Sequence, residues 1–116
     1  MEFSHIGLIT TQPKPGETFV EATRVWITDF VKHPQHVEWL RFEADSPVTG
    51  PVREQSHVAY RVGSIESAAK GLKTLLEPFE PMEHLRVGFY QTNDGAVIEF
   101  MEYQGSPFED QDGNGP

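Results

Sequence analysis

Short runs of β-branched and aromatic residues, separated by proline and glycine, recur along the chain and predict strands. In the first half they cover residues 3–9, 23–29 and 37–43; in the second half they cover residues 57–62, "LRVGFYQT" and "AVIEFMEY". This composition and alternation are typical of strands bounded by turns. The proline- and glycine-rich stretch "TTQPKPGET" predicts a loop, "NDG" predicts a tight turn, and "ADSPVTGPVREQ" predicts a linker.

One segment has the period of a helix rather than a strand. Its apolar residues fall on a single helical face, namely Ile65, Ala68, Ala69, Leu72, Leu75 and Leu76. Ser64 is a suitable N-cap, and Pro78 follows the last apolar position. The pattern therefore predicts a helix from residue 64 to about residue 76.

The two halves of the chain resemble each other in order. "HIGLIT" (5–10) matches "HVAYRV" (57–62), "RVWIT" (24–28) matches "RVGFY" (86–90), and "VEWLRF" (37–42) matches "IEFMEY" (98–103). The first half has a proline- and glycine-rich loop where the second half has the predicted helix. We expect one domain over residues 1–104, built from a module at 1–46, a linker at 47–55 and a module at 56–104.

The repeat places ionisable residues at matching ends of the two modules. His5 and His57 stand in the first strands, and Glu38 and Glu99 stand in the last strands. Strands seldom carry buried ionisable residues unless a partner compensates them. Two imidazoles and two carboxylates suit a divalent ion such as Zn²⁺, Ni²⁺, Co²⁺, Mn²⁺ or Fe²⁺. Singly, each histidine is better interpreted as an ordinary strand residue; the matched set favours a metal site instead.

Composition excludes several other classes of protein. The 116-residue chain has no cysteine, which excludes disulfides and thiolate metal sites, and its net charge of -9 argues against nucleic acid or an anionic membrane as partner. No apolar run has the length of a membrane span, and the N-terminus is unlike a signal peptide. We expect a cytoplasmic protein with a disordered acidic tail at residues 105–116.

"HIGLIT", "HVAYRV", the helix that follows and "NDGAVIEFMEY" resemble the vicinal oxygen chelate superfamily, which includes glyoxalases, bleomycin-resistance proteins and extradiol dioxygenases. The resemblance implies an α+β fold of two paired βαβββ modules, here with the first helix reduced or missing. It implies that His5, Glu38, His57 and Glu99 bind a divalent metal, which stabilises an enediolate of a small oxygenated substrate in isomerase, lyase or epimerase chemistry. Glu99 would be the first candidate base and Glu38 its partner.

Two other functions remain open. His5, His57 and Glu99 alone resemble the Fe²⁺ or Mn²⁺ triad of dioxygenases, and some family members bind drugs or antibiotics without a metal. Arg61, Trp26 and Tyr90 are candidate substrate-binding residues, whereas Glu102 is predicted to face solvent from the strand face opposite Glu99. His33, His36 and His84 are predicted to be exposed. The family commonly dimerises, so a homodimer is expected.

Overall fold

The computed structural model describes residues 1–104, and the tail predicted to be disordered lies outside them. Within these residues, helical structure is limited to a 3₁₀ helix at Phe30–Lys32, α1 at Pro51–Glu54 and α2 at Ile65–Ala68. The strands are β1 (Glu2–Ile9), β2 (Thr18–Val20), β3 (Val25–Ile27), β4 (Val37–Phe42), β5 (His57–Arg61), β6 (Lys73–Met82), β7 (Leu85–Gln91) and β8 (Val97–Tyr103). All eight strands form one sheet.

The sheet consists of two halves with the same strand arrangement. Its order is β2-β3-β4-β1-β5-β8-β7-β6, so each half places the first strand of its module beside the last. The pairs β1–β4 and β5–β8 are parallel, and β1 and β5 join the halves in antiparallel pairing. The prediction of an α+β, glyoxalase-like fold with two paired modules is therefore confirmed. No helix occurs between β1 and β2, as expected for the first module.

The strand register makes the two modules equivalent at the level of single residues. Glu38 is paired with Gly7, two residues after His5, and Glu99 is paired with Ala59, two residues after His57. Across the centre of the sheet, His5 is paired with Ala59, and Gly7 is paired with His57. The repeat seen in the sequence thus corresponds to a local two-fold arrangement of the four central strands.

The helix predicted for residues 64–76 is wrong beyond its first turn. Helix α2 ends at Ala68, Gly71 adopts a φ of 82°, and strand β6 begins at Lys73. The left-handed conformation of Gly71 ends the helical path, and it is a conformation that glycine adopts readily. Leu75 and Leu76 instead pack against the core from a strand. Pro78 and Pro81 lie within β6, where an edge strand tolerates them.

The loop predicted at residues 10–18 also ends earlier than expected, because β2 begins at Thr18 and forms a hairpin with β3. The stretch predicted as a linker contains α1, and Val48 and Val52 from this stretch are buried in the main hydrophobic cluster. That cluster also contains Val87, Phe89 and Met101, and it lies on the face of the sheet that carries the candidate site. The connection between the modules is therefore part of the wall around that site.

Candidate metal site

Four buried side chains meet on the four central strands of the sheet. His5 comes from β1, Glu38 from β4, His57 from β5 and Glu99 from β8, and none of these residues is more than 8% exposed. One potential ligand atom from each of them lies within 4.8 Å of the other three. The topology causes this convergence, because strands β4, β1, β5 and β8 are adjacent and their registers are equivalent.

The polar atoms of this group face one another without forming aligned hydrogen bonds. Glu99 Oε1 lies 3.1 Å from His57 Nε2 and 3.4 Å from His5 Nε2, and Glu38 Oε1 lies 3.5 Å from His5 Nε2. Within residues 1–104, both Nε2 atoms and Glu99 Oε1 are buried without a hydrogen-bond partner. Leaving buried polar atoms unsatisfied is costly, on the order of 1–3 kcal/mol each. Imidazole nitrogens and carboxylate oxygens are ligands for divalent metals, so the group could hold such an ion.

The protonation of the group reflects its burial and its mutual charges. Burial opposes the charged form of His5, but the Glu38 and Glu99 carboxylates outweigh it and raise the His5 pKa to about 9. For Glu99, burial acts to raise the pKa, and the two imidazoles nevertheless lower it to about 2. Burial raises the pKa of Glu38. At neutral pH and without a metal, a protonated His5 therefore balances the charge of Glu99, and a cation would take the place of that proton.

A β-bulge orients His5. Phe3 is paired with Tyr60 and His5 with Ala59, so Ser4 is an extra residue in β1, and both Ser4 and His5 are buried. Ser4 Oγ lies 3.0 Å from His5 Nδ1, which leaves Nε2 directed at the carboxylates. Such a contact to the second ring nitrogen is a common feature of metal-binding histidines.

His36 holds the same bulge from the neighbouring connection. Its Nδ1 donates to the Ser4 carbonyl oxygen at 3.1 Å, and its own carbonyl oxygen accepts from the Ile6 N–H at 2.9 Å. His36 has a φ of 54°, an uncommon conformation for a residue other than glycine. Although His36 is exposed, as the sequence predicts, it has a contact with the site that sequence reasoning missed.

The imidazole rings are further fixed by their neighbours. The Phe30 ring stacks on the His5 ring at a centroid distance of 4.0 Å, and Phe89 contacts His57 edge-on at 5.1 Å. The His57 ring lies directly over Gly7, where an added Cβ would be 2.1 Å from His57 Cε1. Gly7 is therefore required so that both histidines can occupy the same side of two adjacent strands.

The site borders a cavity of about 380 Å³. His5, Glu38 and Glu99 line it at the four-residue group, Asp29 and three threonines add further polar side chains, and most of the remaining wall is aliphatic or aromatic. Phe30 and Tyr103 also line a second, smaller pocket of about 270 Å³. A small molecule in the larger cavity would thus lie beside the four-residue group.

The three predicted substrate-binding residues lie elsewhere. Trp26 Nε1 donates to Glu43 Oε2 at 2.8 Å, and Tyr90 is buried with Ile65 and Phe100 in the cluster beneath α2. Arg61 lines the smaller pocket, and its Nη1 lies 3.7 Å from Glu2 Oε1. None of the three belongs to the described residues that line the larger cavity.

The prediction that Glu102 faces solvent is wrong. Glu102 is buried, accepts from the Ile65 N–H at 3.3 Å and pairs with Arg86 at 2.7 Å. It does lie on the face opposite Glu99, where α2 covers the sheet. The helix N-terminus and the arginine together compensate its charge.

Comparison with known proteins finds similar solved structures. No family model matches the chain, and no curated protein matches it. A crystal structure of a glyoxalase family protein from Bacillus cereus is similar at 12% sequence identity and a TM-score of 0.39, and the match covers 90% of this chain and 95% of that one. Within residues 1–104, no helix is long and apolar enough to cross a membrane.

The paired modules and the register of the central strands are seen directly in the structure of this chain. They give it the glyoxalase-like fold that its resemblance to the vicinal oxygen chelate superfamily predicts, with a buried His/Glu group that could hold a metal ion.

Proposed function

We propose that the chain is a divalent-metal-dependent enzyme with glyoxalase-like isomerase, lyase or epimerase chemistry on a small oxygenated substrate. One observation carries the proposal: four buried ligand atoms lie within 4.8 Å of one another beside a cavity that can admit a small molecule. Buried charges that have no aligned hydrogen bonds are expensive to maintain for packing alone. Perturbed ionisable groups in a cavity are characteristic of functional sites.

His5, Glu38, His57 and Glu99 would hold the ion. A divalent ion bound there would polarise a substrate oxygen and favour loss of a proton from the adjacent carbon. Glu99 is the first candidate for accepting that proton, and Glu38 is its partner. The apolar wall around these carboxylates would exclude water from the reacting atoms.

The first test is metal analysis of the purified protein and of matched variants. We expect about one divalent ion per chain, and we expect His5→Ala and Glu99→Ala to lose it. The controls are His84→Ala and Glu83→Ala, which change exposed residues outside the group and should retain the metal. A native protein that takes up no divalent metal would contradict the proposal.

A three-ligand variant of this function is a second candidate. Glu99 contacts both imidazoles, whereas Glu38 reaches only His5 within ion-pair distance. This asymmetry favours His5, His57 and Glu99 as an Fe²⁺ or Mn²⁺ triad of the dioxygenase type. Glu38→Gln separates the two candidates. The variant should bind the metal as tightly as the native protein if three ligands hold it, and less tightly if four ligands hold it.

The non-enzymatic alternative is a protein that sequesters a small molecule in the cavity. It is favoured by the charge balance of protonated His5 and ionised Glu99, which allows the group to exist without a metal. Tight ligand binding by protein that stays metal-free during incubation with Zn²⁺, Mn²⁺ and Fe²⁺ would support this alternative.

A further inference from the structure

The cavity beside the four-residue group has an unusual charge content. None of the residues that line it within residues 1–104 is a lysine or an arginine. Its ionisable side chains are His5, Asp29, Glu38, Glu99 and the Tyr103 phenol, and Asp29 accepts from the Val31 N–H. Its neutral polar side chains include three threonines, at positions 18, 23 and 28.

The lysines and arginines of the chain lie outside the lining of this cavity. Among the arginines, three form close ion pairs with carboxylates: Arg24 with Asp45, Arg41 with Glu17 and Arg86 with Glu102. Arg53 donates to the carbonyl oxygens of Glu43, Ser46 and Val48, and Arg61 lines the smaller pocket. Lys14 lies over the Trp39 ring, and Lys32, Lys70 and Lys73 are exposed.

Away from the four-residue group, the cavity is therefore poorly matched to an anionic part of a ligand. Such a part would lose its hydration against an apolar wall while meeting no arginine or lysine. An uncharged body would instead gain from burial against Leu85, Val87, Phe89 and Met101. The volume of about 380 Å³ lies near the lower end of the range for small-molecule sites, which is roughly 300–1,000 Å³.

We infer that the ligand of this cavity is a small, uncharged and largely apolar molecule with one oxygen-bearing end. The oxygen-bearing end lies at His5, Glu38 and Glu99, and the apolar body lies against the core side of the cavity. The position of the oxygen-bearing end rests on the proposed function. The preference for an uncharged body rests only on the residues that line the cavity. Phosphorylated substrates and substrates conjugated to acidic peptides are outside this class.

The test uses a matched pair of chelating probes. Hexanohydroxamic acid has an uncharged alkyl tail, and adipic monohydroxamic acid has the same chain ending in a carboxylate. Binding is measured from methyl chemical shifts of the cavity residues, in Zn²⁺-loaded protein and in metal-free protein. We expect the uncharged probe to bind at least about tenfold more tightly in either state, because burial of the carboxylate is uncompensated.

Two lysine substitutions, one at the rim of the cavity and one away from it, locate the effect. Met82 lines the cavity and Phe3 does not, yet both side chains are about 51% exposed. Met82→Lys should strengthen binding of the carboxylate probe about threefold, as expected for one partly screened charge. Phe3→Lys is the matched control and should leave both affinities unchanged.

The outcomes separate this inference from the proposed function. Absence of metal uptake would overturn the proposed function. The measurements on metal-free protein would still test whether the cavity binds the uncharged probe more tightly than the carboxylate probe. Equal affinity for the two probes, tighter binding of the carboxylate probe or no cavity shifts with either probe would overturn the inference. An unchanged carboxylate affinity in Met82→Lys would also overturn it.

Discussion

Gly7 determines whether both histidines can share the site. In strand pairing it is opposite His57, and the His57 ring occupies the space that any larger side chain at position 7 would need. The equivalent position in the second module is Ala59, so the local two-fold arrangement is broken at this point. The glycine is thus required by a side chain from another strand rather than by its own backbone conformation.

We expect Gly7→Ala to displace His57 and to destabilise the fold. The free energy of unfolding should fall by about 1–3 kcal/mol, as for other overpacked sites, and the bound metal should be reduced. Urea unfolding and metal analysis measure the two effects. Gly63→Ala is the matched control, because a Cβ at Gly63 meets no atom within 4 Å. Unchanged stability and metal content in Gly7→Ala would contradict the role of Gly7.

Ser4 acts on His5 through the ring nitrogen that faces away from the group. We expect Ser4→Ala to weaken metal binding about tenfold with little loss of stability, because the orientation of the His5 ring would be less well fixed. Competition with a fluorescent chelator measures the affinity. Ser56→Ala is the control, since Ser56 also precedes a site histidine but is exposed. Equal effects of the two substitutions would exclude a specific role for Ser4.

Helix α2 and the site lie on opposite faces of the same strands. Ile65 is fully buried with Tyr90 and Phe100, while Glu99 and Met101 point to the cavity from the alternate positions of β8. Side chains along a strand alternate between faces. Stability and ligand binding can therefore be changed separately by substitutions only one residue apart in the strand.

We expect Ile65→Ala to lower the free energy of unfolding by about 2–5 kcal/mol, the usual cost of such a truncation in a core. Metal content of the folded protein should stay unchanged, because Ile65 contacts the other face of the sheet. Val31→Ala, at a residue 67% exposed, should have little effect on stability. Loss of metal in folded Ile65→Ala would show that the two faces are coupled.

The whole molecule carries its site on one chain. His5 and Glu38 come from the first module, and His57 and Glu99 from the second, joined through β1 and β5. A homodimer remains our proposal, with light scattering as its test. Metal stoichiometry per chain should not depend on protein concentration, whatever the oligomeric state. A fall in stoichiometry on dilution to monomer would show that a second chain contributes to the site.

The buried charges should also make the stability of the metal-free protein depend on pH. The folded-state pKa of His5 is about 9, above its ordinary 6.5, so its contribution is complete below pH 6.5 and is lost as pH rises towards 9. The raised pKa of Glu38 likewise gives a contribution to stability that is lost as pH rises. The lowered pKa of Glu99 gives a contribution present above pH 4.5 and lost as pH falls towards 2.

We therefore expect the metal-free protein to unfold at a lower urea concentration at pH 9 than at pH 6. The difference should be smaller in His5→Gln, which lacks the titrating group. Urea midpoints from far-UV circular dichroism check both expectations. The same midpoint at both pH values in the metal-free protein would contradict the charge pairing described for His5.

Much of the fold and of the site could be predicted from sequence, because strand alternation and the repeated His and Glu positions are local patterns. They gave the strands around the site, the two modules and the four residues that meet. The extent of α2 could not be predicted, because the apolar spacing of residues 65–76 fits a helix until Gly71 reverses the chain and β7 pairs with Lys73–Met82. That pairing is a contact between segments and leaves no local signal.

Tertiary structure alone decided how the four residues are held and what surrounds them. The bulge at Ser4, its contact with His36 and the space over Gly7 each depend on a neighbouring strand or connection. The cavity is likewise a product of packing, since its wall combines residues from both modules and from the connection between them. The chain thus encodes its candidate ligands in periodic positions, whereas their environment arises only when distant segments pack together.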